Sequence, residues 1–274
     1  MNKHFLGGHT LMGFTLSMRK LLLIGFGLVF ILLGIFLLRG CSENGFSKNK
    51  TYTVAVDSSW QPLQMIGREK NLLGFTTDLL RAISREASFR SRIVEVAPMI
   101  IREGLDEKRF DAMISPLTPS VVTEKFYSFS DPYYLFGPVL IVKSDSKITK
   151  PEDLDGKIIG ITTKEANLFV KYPSLLVVTY ETITSAMEQL VKNQIDAVIL
   201  EAVPAYVMTQ GSYAGRLKVI TSPLTDQGLR VVTINDPEHL ILVSRFNEGL
   251  TTLLEDGTYE RLIKKWGLID PVMK

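Results

Sequence analysis

Residues 108–115 read KRFDAMIS, and residues 193–200, 85 positions later, read NQIDAVIL. Both runs carry an apolar residue, Asp, Ala, a second apolar residue and Ile, in that order. Each follows a stretch of helical character and enters a run with the apolar density of a strand. The shared unit is therefore helix, aspartate, strand. Helix–Asp–strand joints are common in α/β folds, and two similar α/β lobes within one chain explain the echo simply.

The surrounding sequence alternates in the same way. YTVAV (52–56) and RIVEV (92–96) have strand patterning. Between them, TTDLLRAISREA (76–87) sets Leu79, Leu80, Ile83 and Ala87 on one helical face, with Thr76 or Thr77 as cap and Asp78 in the first turn. EDLDGKIIGIT (152–162) ends in another strand. ITSAMEQLVKN (183–193) reads as a helix with Ala186, Met187, Leu190 and Val191 on its apolar side. Near the end, Asp236 caps a helix that opens on Pro237 and spaces Leu240, Val243, Phe246, Leu250 and Leu253 as an apolar stripe. Gly257 stops it, and TYERLIKKWG (258–267) forms a last helix with Leu262 and Trp266 on one side. Strands alternating with helices predict an α/β fold with mainly parallel sheets.

Charge excludes one class of partner. Of 31 Lys and Arg against 29 Asp and Glu, four basic residues (Lys3, Arg19, Lys20, Arg39) and no acid fall in residues 1–40. The remainder holds 27 basic and 29 acidic side chains, so bulk charge gives no reason to bind nucleic acid. Residues 21–38, LLLIGFGLVFILLGIFLL, contain no charge; Arg19 and Lys20 precede them and Cys41, the single cysteine, follows. This order is that of an export signal. LRGC (38–41) resembles a bacterial lipobox, in which Cys41 would be acylated, although Arg39 is an unusual occupant. A retained membrane anchor is the alternative, since 18 apolar residues are just long enough to span. Either way residues 42–274 are expected outside the cytoplasmic membrane, with 1–40 a signal (Met18 an alternative start) and 41–50 a polar tether.

AVDSSWQPLQ, LLGFTTDLLRAI, FDAMIS followed by SFSDPYY, PEDLDGKIIGI, IDAVILEAVPA and EDGTYERLIKKWG occur in this order. Together they resemble the bacterial extracellular solute-binding proteins of family 3, the amino-acid-binding subunits of ABC importers, over about residues 51–270. The resemblance implies a two-lobed periplasmic-binding-protein fold of type II. Lobe 1 would comprise 51–137 plus 229–274 and lobe 2 would comprise 138–228, with crossing strands near 138–143 and 229–234 as hinge. A ligand between the lobes closes them only if it contacts both.

The resemblance also implies ligand residues. Asp57 and Trp60, after the first strand, match an acid near the ligand's side chain and an aromatic that stacks on it. Pro98 stands where a second aromatic wall would be. Ser115, Pro116 and Thr118 match a loop that offers backbone groups and a hydroxyl to the ligand. Five residues later the family's carboxylate-gripping arginine is replaced by Thr123, which cannot form a forked pair. Lys125 lies two residues off. In lobe 2 the family's glycine–threonine turn is TTKEAN, where backbone N–H groups near Glu165 and Ala166 could receive an anion. Glu201 matches the acid that pairs with an α-ammonium. Asp131 is read as a turn former before Pro132. Asp57 and Glu201 kept beside Thr123 point to a pocket prepared for a cation more than for a carboxylate.

The expected function is capture of a small polar solute, an amino acid or close relative, for an ABC permease and its ATPase. The protein would be a monomer, membrane-held through its front end, with no cofactor and no catalysis. No nucleophile elbow or HExxH motif is visible, and His4, His9 and His239 are the only histidines. The alternatives are a solute-sensing binding protein, or a dehydratase-like enzyme on the same fold, which would also have to hold carboxylates. A self-contained receptor or a wall-cleaving fusion is not expected.

Overall fold

In the computed structural model the described residues are 50–57, 59, 60, 67, 69–162 and 174–271. The apolar run 21–38, Cys41 and Ala166 lie outside them.

Two sheets carry the fold. The first contains β1 (Thr51–Val56), β2 (Arg90–Glu95), β3 (Ala112–Ser115), β4 (Tyr127–Phe129) and β5 (Tyr134–Leu135). The second contains β6 (Pro138–Lys143), β7 (Ile158–Ile161), β8 (Leu176–Thr179), β9 (Ala197–Glu201) and β10 (Leu217–Val219). The last strand, β11 (Gly228–Ile234), returns to the first sheet. Strand order is β2-β1-β3-β11-β4 in one, with β5 also on β11, and β10-β6-β9-β7-β8 in the other. Each sheet thus has three parallel neighbours, β2-β1-β3 and β8-β7-β9, followed by antiparallel partners that include the strand leaving a crossover.

Helices cover both faces. They are α1 (Glu69–Glu86), α2 (Pro98–Asp106), α3 (Ile183–Val191), α4 (Ala202–Gln210), α5 (Pro237–Glu255) and α6 (Thr258–Lys265). On one face of the first sheet, Leu72, Phe75, Leu79 and Ile83 of α1 pack with Leu242, Phe246, Leu250 and Leu253 of α5. On its other face Leu105 of α2 joins Ala55, Met113, Tyr127 and Val232. The second sheet has its own clusters, Met187, Leu190 and Ala205 with Val198, and Leu140, Ile159 and Ile199 with Leu154.

The 85-residue echo is a structural repeat. α2 spans 98–106 and α3 spans 183–191, the same length 85 positions apart. Each is followed by a residue in the left-handed region, Lys108 (φ 58°) and Asn193 (φ 60°). Arg109 N–H then donates to Gly104 O, and Gln194 N–H to Gln189 O. Asp111 Oδ2 accepts from Thr53 N–H at 2.7 Å on β1, and Asp196 Oδ2 accepts from Ile158 N–H at 2.9 Å on β7. The aspartate staples the strand it precedes to the neighbouring parallel strand.

Some local expectations are corrected. The helix expected from residue 76 begins at Glu69, so Thr76 and Thr77 are interior residues and not caps. Thr76 shares a buried hydrogen bond with Tyr133, and Thr77 donates back to Leu73 O. Leu72 and Phe75 extend the apolar stripe through Gly74, which leaves room for the Trp266 ring: a Cβ there would lie 2.2 Å from Trp266 Cη2. Asp78 consequently sits mid-helix, holding Lys265 and Trp266 Nε1 of α6. Leu240 is exposed because α5 turns Leu242 inward instead. Helix α2, the helix expected before KRFDAMIS, is short and opens on Pro98; α4 was not foreseen and is apolar nearly all round. Asp236 does cap α5, accepting from His239 N–H at 3.0 Å, with Pro237 at the first position.

Candidate functional site

Two crossings join the sheets, and they lie side by side. Phe136 and Gly137 N–H both donate to Gln227 O, and Leu224 N–H donates to Pro138 O. A Cβ on Gly137 would meet Thr225 Oγ1 at 2.4 Å, so the close approach requires glycine. From this paired segment β6 runs into the second sheet and β11 into the first.

The candidate residues collect at the crossing ends of both sheets. Ser115 closes β3 and pairs with Arg230, two residues from the start of β11. Asp57 follows β1, whose Ala55 pairs with Met113 of β3, so Asp57 and Ser115 extend neighbouring parallel strands beyond the same register. Glu201 ends β9 opposite Pro138, the first residue of β6, and begins α4. Ser115 and Glu201 thus occupy corresponding ends of different sheets.

The loop after β3 is tightly bonded to itself. Ser115 Oγ accepts from Leu117 N–H at 3.1 Å. Thr118 is exposed, and its carbonyl accepts from the Thr123 hydroxyl at 3.2 Å. Thr123 Oγ1 accepts from Ser120 N–H at 2.8 Å and lies 2.9 Å from Ser120 Oγ, while Thr123 N–H donates to Ser120 Oγ. Thr123 also opens the 3-10 turn Thr123–Lys125. Its side chain is therefore occupied in fixing the loop. Lys125 is exposed at the end of that turn.

Asp57 is likewise engaged locally, Oδ1 accepting from Ser59 N–H at 2.9 Å and from Ser59 Oγ at 2.7 Å. Trp60 departs from its expected place. It is 4% exposed and belongs to the core cluster of the first sheet, so it presents no open stacking face in this structure. A turn closed by Trp60 N–H to Asp57 O, with Trp60 at φ 50°, goes with this placement. Its indole Nε1 is buried without a hydrogen-bond partner among the described residues. Pro98, which stands where a second aromatic wall would be, starts α2. Asp131 is exposed and fixed from its backbone, its N–H donating to Asn247 Oδ1 at 2.9 Å.

Sequence reasoning passed over Arg230. This buried arginine stands in an otherwise apolar strand, GLRVVTI, directly opposite Ser115. A lone charge in such a strand was the available signal. Its guanidinium donates to Asp226 Oδ2 at 2.8 Å, to Asp226 O and, at 3.4 Å, to Ser130 O. The positive charge absent from the loop is thus present one strand away, tied to the crossing segment.

The model of the family described as bacterial extracellular solute-binding proteins, family 3, matches residues 52–269. The ABC transporter arginine-binding protein 1 of Escherichia coli (strain K12) is 27% identical over 230 residues, covering 81% of this chain and 93% of that protein. The arginine-binding extracellular protein ArtP of Bacillus subtilis (strain 168) is 24% identical, covering 83% and 90%. The L-cystine solute receptor of Neisseria gonorrhoeae, solved in the unliganded open conformation, shares the fold with a TM-score of 0.62 at 19% identity, over 82% of this chain and 97% of that one. The architecture is thus the two-lobed type II periplasmic-binding-protein fold.

Proposed function

Because this chain belongs to the bacterial extracellular solute-binding proteins of family 3, we propose that it captures a small ligand bearing an amino group and passes it to a membrane ABC permease. Amino acids and their close relatives are the ligand class. Lobe 1, 51–137 with 229–274, and lobe 2, 138–228, close on the ligand about the paired crossings. The front of the chain holds the protein at the outer face of the membrane through Cys41 or the apolar run before it.

The observation that carries this reading is the placement of Glu201 and Ser115 at corresponding crossing ends of different sheets. A ligand that touches both favours closure, and one that touches a single lobe does not. Glu201 pairs with the ammonium group, and Asp57 favours a second positive charge. Ser115, Pro116 and Thr118 supply polar groups from the loop, and Ala166 an N–H. Thr123 supplies no fork, so a carboxylate is held less firmly than the amino end. The relatives named for arginine are consistent with a cationic ligand.

The test is thermal unfolding of the protein against amino acids, dipeptides and simple amines. A ligand at a hundred times its Kd adds about 2.7 kcal/mol, or several degrees at roughly 2–4 °C per kcal/mol. A shift confined to amino-bearing compounds supports the reading. A shift only with carboxylates that lack an amino group would overturn it.

A further inference from the structure

One concavity among the described residues lies away from the crossing ends of the sheets. It opens beside the edge strand β2, has a volume of about 640 Å³, and is framed by Arg81 and Arg85 of α1 and Arg90 and Arg92 of β2. All four arginines are exposed, and no Asp or Glu lines the hollow. Arg81 pairs with Asp78, which is shared with Lys265. Arg92 makes a long contact, 3.4 Å, to Thr53 Oγ1. Arg85 and Arg90 form no ion pair among the described residues.

The position of the hollow matters as much as its charge. Thr51 lies in its lining, and Thr51 pairs with Arg90 at the first residues of β1 and β2. Asp57 follows the other end of β1, and Ser115 closes the neighbouring parallel strand β3. Six residues of β1 separate the two ends by about 20 Å. Thr51, the first residue of β1, lies ten residues after Cys41. A link of ten residues, whatever its conformation, cannot exceed about 35 Å. In a chain anchored at Cys41 this end of β1 would stay within that reach of the bilayer.

We propose that the Arg81–Arg85–Arg90–Arg92 hollow docks on the anionic phospholipid headgroups of the membrane that holds the chain. The inference rests on the anchoring part of the proposed function and adds a surface to it. Four guanidinium groups spread over a helix and a strand match an array of phosphates better than one free phosphate, which a single fork or two would satisfy. Each basic side chain near an anionic leaflet contributes about fivefold in affinity. Docking in this manner leaves the ligand end unobstructed and limits the orientations in which the tethered protein meets a permease.

The full chain, reconstituted into nanodiscs of phosphatidylcholine with or without phosphatidylglycerol, is compared by hydrogen exchange over residues 77–93. β2 is an edge strand, so its outward N–H groups report directly on a covering surface. Slower exchange in the anionic discs, at least threefold, abolished by high salt and by Arg85→Glu with Arg90→Glu, is the expected result. Equal exchange in the two discs, or protection that survives the double reversal, overturns the proposal. The same protection produced by inorganic phosphate without anionic lipid also overturns it, and identifies a free-anion site. If the chain stays with neither disc, the anchoring reading has failed. The hollow is then scored by floating the chain with anionic vesicles: retention lost on the double reversal supports it, and no retention rejects it. Unchanged unfolding of the double variant in lipid-free buffer controls for folding.

Discussion

Asp111 and Asp196 make the same backbone staple, 85 residues apart, in different sheets. Asp111 accepts from Thr53 N–H at 2.7 Å and Asp196 from Ile158 N–H at 2.9 Å. Both also face a lysine from just before the stapled strand, Lys50 at 2.7 Å and Lys157 at 3.8 Å. Only Asp111 has more: His239 Nε2 lies 3.8 Å from its Oδ1, an ion-pair separation and not a hydrogen bond. Burial opposes its charged form, but His239, Lys50 and the Thr53 N–H together hold its carboxyl well below the usual carboxylate range.

The two staples are therefore expected to differ in strength. Asp111→Asn should cost about 2–3 kcal/mol, because a partly buried, charge-assisted set of bonds is lost. Asp196→Asn should cost about 1 kcal/mol, since its lysine partner is distant and the side chain is more than a third exposed. Urea denaturation of both variants measures this, and equal costs would deny Lys50 and His239 any part.

His239 makes stability depend on pH. The Asp111 carboxylate beside it, assisted by Asp236 and opposed by burial, raises its folded pKa above the ordinary value of about 6.5. A raised pKa means that the folded state holds the proton more tightly than the unfolded chain. Its contribution is fully present below about pH 6.5 and is lost as pH rises through the folded value. His239→Gln should flatten the dependence of the unfolding midpoint on pH in that window. A slope unchanged by the substitution would place its origin elsewhere.

Glu201→Gln should weaken an amino-bearing ligand about tenfold or more, since a charge-assisted hydrogen bond contributes about 1.5–3 kcal/mol. Thr123→Arg should improve discrimination for ligands that carry an α-carboxylate, at some cost in loop order because Ser120 and Thr118 O lose their partner. Titration calorimetry of both variants against the same ligand separates the two ends of the molecule. Binding indifferent to Glu201→Gln would argue against an ammonium contact.

Gly74→Ala sets two effects against each other. Alanine should favour the α1 helix by about 1 kcal/mol. Its Cβ would fall 2.2 Å from the Trp266 ring, however, and crowding of this kind costs about 1–3 kcal/mol. Net destabilisation, with a shift in the environment of Trp266, is the expected result. Near-UV circular dichroism and thermal melting report on the two parts.

Much of the core could be read from spacing. Leu79, Leu80 and Ile83 of α1, and Met187 and Leu190 of α3, are buried where helical periodicity puts them. The start of α1 was misplaced because Thr76 and Thr77 resemble caps; the helix runs on through Gly74, and Trp266, nearly 200 residues later, is what fills the space beside that glycine. Trp60 is buried in the core of the first sheet, a placement that spacing alone does not foretell. A tryptophan just past a strand resembles a pocket wall, and the turn that goes with its burial depends on a left-handed φ that a Trp rarely adopts.

The sequence by itself determined the α/β alternation, the cap at Asp236 and the repeated helix–Asp–strand unit, because these depend on neighbours within a few turns. It also showed that the loop after β3 carries no arginine. Only the tertiary structure decided that the two aspartates staple parallel strands, that Thr123 is engaged within its own loop, and that Arg230 stands opposite Ser115. The staples and the Arg230–Ser115 pair need groups brought together by strand pairing, and the partner in a pair is chosen by the packing of whole sheets, not by distance along the chain.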